Sequence, residues 1–392
     1  MLISITCITF LGFFFGFLCK KIKFPSLFGM IIAGILIGPH VLGLISPDIL
    51  NISAQIRKTA LLIILIRAGL KLDLRDLKKV GRPAVLMCFV PAVFEVLGMV
   101  LLAPKLLGLS VQEAAVLGAV IGAVSPAVIV PRMIKLLDEG YGTKQGIPQM
   151  ILAGASVDDV FVIVLFTTFT SLALGEEARL GSLIGVPVSI ILGITAGFLV
   201  GYVLVLYFNK WQVNNTVKVV ILLGISFALS YVEDEWGGVI PFASLIAVMA
   251  FGTMIKRKKQ ELAIALSAQF DKLWIVAEVF LFVLVGASVE IESLRTAAGG
   301  AVLLLFGVLL FRMAGVFLCL LKTELTRKEK LFCMVAYTPK ATVQAAIGGL
   351  PLAMGLSCGN IVLTVSVIAI MLTAPLGAFA IDLTYRRWLS KG

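Results

Sequence analysis

Charged residues are scarce in this sequence, and histidine is almost absent. Of 392 residues, 14% are charged and one is a histidine, whereas 60% are hydrophobic. The mean hydropathy of +1.09 is well above that of a soluble domain, whose surface needs more charge. The composition therefore excludes a soluble globular protein and indicates an integral membrane protein. Because His40 is the one histidine, any pH sensing would depend on carboxylates or lysines.

Metal motifs, long polar segments and nucleic-acid features are also missing. The six cysteines lack the spacing of metal ligands or redox pairs, so we expect no zinc, disulfide or other cofactor. The connections between apolar runs are too short to hold an enzyme domain, and we expect no enzymatic activity. A net charge of +11 could suggest nucleic-acid binding, but the basic residues are spread between apolar runs. The expected partner is therefore membrane lipid, not nucleic acid.

Thirteen apolar runs follow one another along the chain. They approach the roughly 18 to 25 residues that a helix needs to cross a bilayer. Strands of a membrane barrel would alternate in polarity, and these runs do not. The sequence therefore predicts an all-α membrane protein with thirteen transmembrane helices.

The basic residues predict the orientation of these helices. Alternate connections and ends hold 25 of the 33 lysines and arginines, whereas the opposite connections hold five. By the positive-inside rule the rich side is cytoplasmic. We therefore expect a multi-pass protein of the cell's inner membrane, with its N-terminus outside and its C-terminus in the cytoplasm.

Three segments in the first half resemble three in the second. Their offsets lie between 213 and 218, and the pairs are "FPSLFGMIIAG" (24–34) with "FASLIAVMAFG" (242–252), "GLKLDLRDL" (69–77) with "GASVEIESL" (286–294), and "AVSPA" (123–127) with "AYTPK" (336–340). Matched runs are seven apart, an odd number, so the halves have opposite orientations. We expect a first inverted repeat at 1–171, a linker helix at 172–215 and a second repeat at 216–392.

Two adjacent aspartates, Asp158 and Asp159, lie near the middle of the sixth run, at 148–173. An aspartate at the centre of a membrane helix costs about 2.5 to 3.5 kcal/mol, so a pair indicates an ion or proton site. Neighbouring helix positions point about 100° apart. The two carboxylates could therefore divide into one that pairs with a fixed cation and one that faces water and binds the transported ion.

Prolines interrupt the fifth and twelfth runs. Pro126 and Pro339 occupy matched positions in the repeat, and an interior proline breaks or kinks a helix. Two broken helices would place main-chain carbonyls and side-chain oxygens at mid-membrane, where they can coordinate a cation. The few polar side chains close to the breaks are Ser125, Ser156, Thr338, Thr342 and Gln344. Of these, Ser125, Thr338 and Ser156 are the candidate cation ligands.

Three further charges inside apolar runs need partners. Lys340 follows Pro339 directly, and we expect Asp158 to pair with it, although Lys340 could instead extend to the cytoplasmic surface. Glu95 and Arg312 lie at similar depth by the repeat offset, which favours an ion pair between them.

Arg67 and Glu278 have no evident partner in the sequence. For both, extension to the membrane surface and a structural hydrogen bond remain open.

The segments "GASVDDV", "AVSPAVIVP", "LIRAGLKLD" and "TPKATVQAAIGG" together resemble bacterial sodium/proton antiporters of the monovalent cation:proton antiporter superfamily, in its NHA-type branch. The resemblance covers essentially the whole chain. It implies a homodimer in which a dimer domain and an ion-binding core each draw on both repeats. It also implies that Asp159 binds Na⁺ or Li⁺ in competition with protons, that Asp158 pairs with Lys340, and that Glu95 pairs with Arg312.

The expected function is therefore secondary active exchange of Na⁺ or Li⁺ for H⁺ by alternating access, with a role in pH homeostasis. A Na⁺-coupled symporter of an organic solute is the main alternative, although it would need a roomier polar pocket than these few side chains offer. A channel or non-transporting sensor is a further alternative, although neither would require a carboxylate pair opposite a buried lysine. The sequence leaves cation selectivity, stoichiometry, direction and activation by pH open.

Overall fold

A computed structural model describes residues 1–22, 24–72, 81–174, 180–211, 213–236 and 242–391. This part of the chain is helical and contains no strand; its one extended contact is a bridge between Tyr141 and Lys391. The described residues form eighteen helices. They are α1 (Leu2–Lys21), α2 (Ser26–Ile37), α3 (Pro47–Asn51), α4 (Ser53–Lys71), α5 (Arg82–Met87), α6 (Val90–Leu107), α7 (Val111–Ile121), α8 (Pro126–Glu139), α9 (Ile147–Ala173), α10 (Leu180–Lys210), α11 (Asn215–Trp236), α12 (Ser244–Lys258), α13 (Gln260–Ala287), α14 (Ile291–Cys319), α15 (Arg327–Ala336), α16 (Thr342–Ile347), α17 (Leu350–Ala353) and α18 (Gly359–Trp388).

Eight segments of the described chain are long and apolar enough to cross a membrane. They are α1, α5 with α6, α7 with α8, α9, most of α10, α11, most of α14, and α18. The other five predicted runs coincide with helices that are shorter or more charged: α2, α4, α12, α13, and α15 to α17. The predicted all-α membrane fold is therefore confirmed, whereas the count of thirteen spans is not.

The chain forms two compact units. One comprises Met1–Gln55, Arg75–Leu174 and Val279–Gly392, and the other comprises Ile56–Leu74 and Gly175–Glu278. Each unit takes residues from both halves of the predicted repeat. The repeat boundaries themselves remain a prediction.

Glycines allow close helix packing in the smaller unit. Gly193, Gly197 and Gly201 lie one turn apart on α10 and face main-chain oxygens in α12 and of the residue just before it, which an added Cβ would overlap. Such small-residue faces let membrane helices approach to van der Waals contact. This packing stabilises their association, because lipid is as apolar as the helix surfaces and gives no hydrophobic driving force. The contact between α10 and α12 is one of the most extensive in this unit.

In the larger unit, α6 packs along α14, and glycines again permit the contact. Gly98 of α6 faces the ring of Phe311, and Gly315 of α14 faces the backbone of Pro91. These two contacts lie on either side of Glu95 and Arg312. The packing therefore brings an acidic and a basic side chain to the same depth.

Two helices of the larger unit are broken, as the prolines predict. Residues 122–125 separate α7 from α8, and residues 337–341 separate α15 from α16. Both first halves begin with a capping box, formed by Ser110 with Glu113 and by Thr326 with Glu329.

The two prolines occupy different places within the breaks. Pro126 is the first residue of α8, whereas Pro339 lies in the non-helical segment three residues before α16. The capping boxes are 216 residues apart and the prolines 213. The two repeat halves therefore match in where their broken helices begin, whereas the two prolines occupy different positions within the breaks.

Candidate functional site

The two breaks meet inside the larger unit. The backbone N–H of Ser125, in the first break, donates to the carbonyl oxygen of Pro339, in the second, at 2.8 Å. Gly377 of α18 leaves space for the Pro339 ring, because a Cβ there would overlap it. Non-helical backbone in a membrane protein must find such partners inside the protein, since lipid offers none.

Asp158 is held firmly at this crossing. It is fully buried on α9, and its Oδ2 accepts hydrogen bonds from the backbone N–H of Val124 at 2.8 Å and from Arg312 Nη2 at 2.9 Å. Val124 lies just before α8, so the carboxylate also faces the positive end of that half-helix. Asp158 is thus paired with a fixed positive charge.

Asp159 has a different environment, as the geometry of adjacent helix positions predicts. Its side chain is 7% exposed, and its Oδ1 accepts no hydrogen bond from any residue that the structure describes. Among those residues, no basic side chain forms an ion pair with Asp159, whereas Asp158 pairs with one basic residue and Glu95 with two. Glu95 Oε1 and Asp158 Oδ1 also lack a hydrogen-bond partner in the described chain, so it is the absence of an ion pair that distinguishes Asp159 as the carboxylate open to a cation.

Arg312 connects both breaks to the acidic residues. Its Nη1 lies 2.5 Å from Glu95 Oε2, so the predicted contact between Glu95 and Arg312 is present in the structure. The same guanidinium donates to the carbonyl oxygen of Tyr337 at 2.6 Å and to that of Gly122. It also lies 5.1 Å from the Tyr337 ring centroid. One fully buried arginine thus neutralises the negative ends of α7 and α15.

The predicted pair of Asp158 with Lys340 is wrong. Lys340 Nζ lies 2.6 Å from Glu95 Oε2, and the partner of Asp158 is Arg312. Arginine presents five donors in a planar fork and can contact several acceptors at once, whereas lysine is a compact charge that here contacts Glu95. Lys340 is also fully buried, which excludes its extension to the surface.

The predicted cation ligands differ in their surroundings. Ser125 is fully buried, and its Oγ has no hydrogen-bond partner among the described residues. Thr338 is half-buried, and its hydroxyl donates to the carbonyl oxygen of Val335 at 2.8 Å. The side chain of Ser156 lies outside the described part of the structure. Ser125 is therefore the better-placed oxygen of the three.

Two further polar residues near the breaks, for which the sequence predicts no role, belong to the crossing. Gln344 is fully buried on α16, and its Nε2 donates to the carbonyl oxygens of Ile121 at 3.1 Å and Ala123 at 2.8 Å. Thr342, at the start of α16, is 1% exposed, and its Oγ1 has no partner within the described chain. Their polarity inside an apolar run was the available signal, and their contacts were not predictable from it.

Arg67 and Glu278 belong to the smaller unit. There Arg67 forms an ion pair with Asp271 of α13, and Lys71 contacts the same carboxylate at 2.8 Å. Arg67 therefore has a partner that the sequence did not reveal. His40 is exposed in the turn after α2, as expected for a connecting residue.

The chain resembles known proteins over almost its whole length. The family model described as "Sodium/hydrogen exchanger, transmembrane" matches residues 6–385. Sodium/hydrogen exchanger 9B2 from Homo sapiens is 34% identical over 385 residues, covering 94% of this chain and 70% of the relative, and the Pongo abelii protein gives the same values. These relatives are animal proteins, so the bacterial type named from the sequence is not confirmed.

The fold also has a solved counterpart. The sodium proton antiporter MjNhaP1 from Methanocaldococcus jannaschii superposes with a TM-score of 0.84 at 21% identity, covering 98% of this chain and 97% of that one. At this identity the likeness establishes the fold, and the chemistry must be argued from the side chains.

Proposed function

The chain belongs to the sodium/hydrogen exchanger family, and we propose that its sodium/proton antiport depends on competition between a proton and Na⁺ or Li⁺ for Asp159. The observation that supports this assignment is the contrast between the two aspartates. Asp158 is bound by Arg312 and a backbone N–H, whereas Asp159 forms no ion pair with any described residue. A carboxylate buried without a basic neighbour is stabilised by a proton or by a cation.

The charges of the network support exchange of one ion for one proton. Glu95, Asp158 and Asp159 would contribute three negative charges, and Arg312 and Lys340 two positive ones. One proton or one monovalent cation at Asp159 then makes the cluster neutral. The loaded cluster is inexpensive to hold in a low-dielectric interior, while the unloaded cluster keeps an uncompensated charge. We infer that only the loaded states change access, which couples the two fluxes.

Several finer features remain proposals. The alternation of basic connections supports an outside N-terminus, a cytoplasmic C-terminus and an inner cell membrane. Exposed apolar side chains on α1, such as Phe10 and Phe14, support contact with lipid or with a second copy in a homodimer. We further propose that the chain has no enzymatic activity and that its exchange serves pH homeostasis. The alternative of an organic-solute symporter is not favoured, because the family is one of sodium/hydrogen exchangers.

The test is the replacement Asp159→Asn in proteoliposomes, where an imposed Na⁺ gradient drives a measurable change in internal pH. We expect the variant to fold and to lose this flux, because a neutral amide cannot exchange a proton for a cation. Asp382→Asn is the matched control, since Asp382 lies on the surface end of α18 and pairs with Arg132 at 3.2 Å. Flux retained in the Asp159 variant would refute the assignment.

A further inference from the structure

Arg312 lies within reach of two adjacent carboxylates. Its Nη2 is 2.9 Å from Asp158 Oδ2 and has no other acceptor among the described residues. The same guanidinium also acts electrostatically on Asp159, the next residue along α9. An arginine that turned from Asp158 to Asp159 would place a fixed positive charge where the cation is proposed to bind. The orientation of this one side chain therefore decides whether Asp159 is open.

Tyr337 contacts the guanidinium of Arg312 in two ways. Its carbonyl oxygen accepts from Arg312 Nε at 2.6 Å, and its ring centroid lies 5.1 Å from the central guanidinium carbon. The first contact holds the base of the planar fork, and the second places the positive charge over the aromatic ring. Glu95 and Asp158 instead accept from the two outer nitrogens. Tyr337 therefore restrains the fork where neither acid does.

The side chain of Tyr337 is itself held in place. It is fully buried, and its hydroxyl donates to the carbonyl oxygen of Met87, the last residue of α5, at 3.0 Å. Gly154, one turn before Asp158 on α9, leaves the space for this hydroxyl, since a Cβ there would lie 2.7 Å from it. The ring therefore extends from Arg312 to the end of α5, beside the helix that carries both aspartates.

We propose that Tyr337 is a positioning residue that holds Arg312 on Asp158 and so leaves Asp159 free for the transported cation. This inference rests on the proposed function, because it presupposes that the cation binds Asp159. The other ionisable groups of the described chain that interact with Arg312 are Glu95 of α6, Asp158 of α9, Cys319 of α14, Lys340 and Tyr337 itself. Asp159 is thus the acid that Arg312 does not already contact, and we expect a less restrained Arg312 to turn towards it.

Removing the Tyr337 ring should make Arg312 compete with every ligand of Asp159. A cation then binds only the fraction of molecules in which Asp159 is free, so its half-saturating concentration rises as that fraction falls. Na⁺ and Li⁺ should be affected equally, because the competitor is the protein's own side chain. The pH at which protons half-inhibit exchange should also become lower, since the same arginine competes with the proton.

The test is Tyr337→Leu, which removes the ring and the hydroxyl but keeps the main-chain carbonyl. Half-saturating concentrations of Na⁺ and Li⁺ are measured in proteoliposomes over a range of pH. We expect both to rise about three- to tenfold, a range that the loss of one buried cation–π contact can supply. The pH of half-inhibition should move down by the same factor in proton concentration, which is about half to one pH unit. The maximal rate should change less than these values.

Phe332→Leu is the control for the loss of an aromatic ring from α15. Phe332 is fully buried on the same half-helix, in an apolar cluster that includes Ile147 and Leu389. We expect this variant to lose thermal stability and to keep both half-saturating concentrations and the pH of half-inhibition. Tyr337→Phe, which keeps the ring beside Arg312, should shift these readings less than Tyr337→Leu does.

Unchanged half-saturating concentrations and an unchanged pH of half-inhibition in a folded Tyr337→Leu protein would overturn the proposal, as would equal shifts in Phe332→Leu. If Tyr337→Leu does not fold, Tyr337→Met, whose flexible side chain fills more of the space, is measured by the same criteria. Failure of both variants to fold would show that the ring is required for the fold, which would overturn the positioning role. Failure of the proposed function would look different, since Asp159→Asn would then retain exchange.

Discussion

The strongest prediction concerns which acid neutralises Lys340. In the structure Glu95 Oε2 faces two cations, Arg312 Nη1 at 2.5 Å and Lys340 Nζ at 2.6 Å. Glu95→Gln removes a negative charge from between them and leaves the Lys340 ammonium buried without an acid. Removing one member of a buried ion pair costs about 3 to 5 kcal/mol, so we expect a large loss of stability.

A second replacement should restore most of that loss. In the double variant Glu95→Gln with Lys340→Gln, the stranded ammonium is gone and Arg312 still pairs with Asp158 at 2.9 Å. The cluster would again carry one net negative charge when Asp159 is ionised, as in the unmodified protein. We therefore expect the double variant to be more stable than Glu95→Gln alone, by about 2 kcal/mol or more, because a neutral pair replaces an unpaired charge.

The assay is the thermal unfolding of purified protein, followed by intrinsic fluorescence, for each single variant and each double variant. The comparison that decides the matter is Asp158→Asn with Lys340→Gln, the pair expected from sequence. If that double variant recovers more stability than the one with Glu95→Gln, the observed pairing is refuted. Equal recovery would refute it too, since the two acids would then be equivalent partners of Lys340.

Three further predictions follow from the same network. If Lys340 keeps its proton, Na⁺-driven pH changes in proteoliposomes should be the same with and without a clamped membrane potential; a twofold difference would contradict one-for-one exchange. The charge exchange Glu95→Arg with Arg312→Glu should lower the melting temperature more than Glu95→Gln, because it places like charges beside Lys340 and Asp158; greater stability than the single variant would count against the network. Gly154→Ala should cost about 1 to 3 kcal/mol in thermal unfolding, since its Cβ would displace the Tyr337 hydroxyl from the Met87 carbonyl; an unchanged melting temperature would contradict this.

The membrane fold was predictable because its main determinants are local. A low fraction of charged residues and long apolar runs indicate that the chain lies in a bilayer. The bilayer then favours helices, because a helix satisfies its backbone hydrogen bonds internally. The two broken helices were partly accessible, because a proline removes a helical hydrogen bond and Pro126 and Pro339 lie at matched positions of the repeat. Proline alone does not decide the matter, since Pro131 and Pro375 lie inside continuous helices. The prediction that Asp158 and Asp159 form an ion or proton site also followed locally, from the cost of burying two carboxylates in one helix.

The contacts among the buried charges could not be obtained in this way. The repeat offset placed Glu95 and Arg312 at one depth, and the structure shows them in contact, yet depth does not specify direction. Whether Lys340 faces Glu95 or Asp158 depends on how α6, α9 and α14 rotate as they pack, and glycines such as Gly98 determine that packing.

By itself, the sequence determined that this chain lies in a membrane, that two of its helices carry matched prolines, and that another helix carries a pair of adjacent acids near its middle. Only the tertiary structure decided that Arg312 holds Asp158, that Glu95 holds Lys340, and that Gln344 occupies the end of α7. The physical reason is the difference between local and long-range interactions. Apolar length, proline geometry and the cost of a buried charge act within one helix. Charge pairing instead depends on side chains that are brought together by the packing of helices distant in sequence.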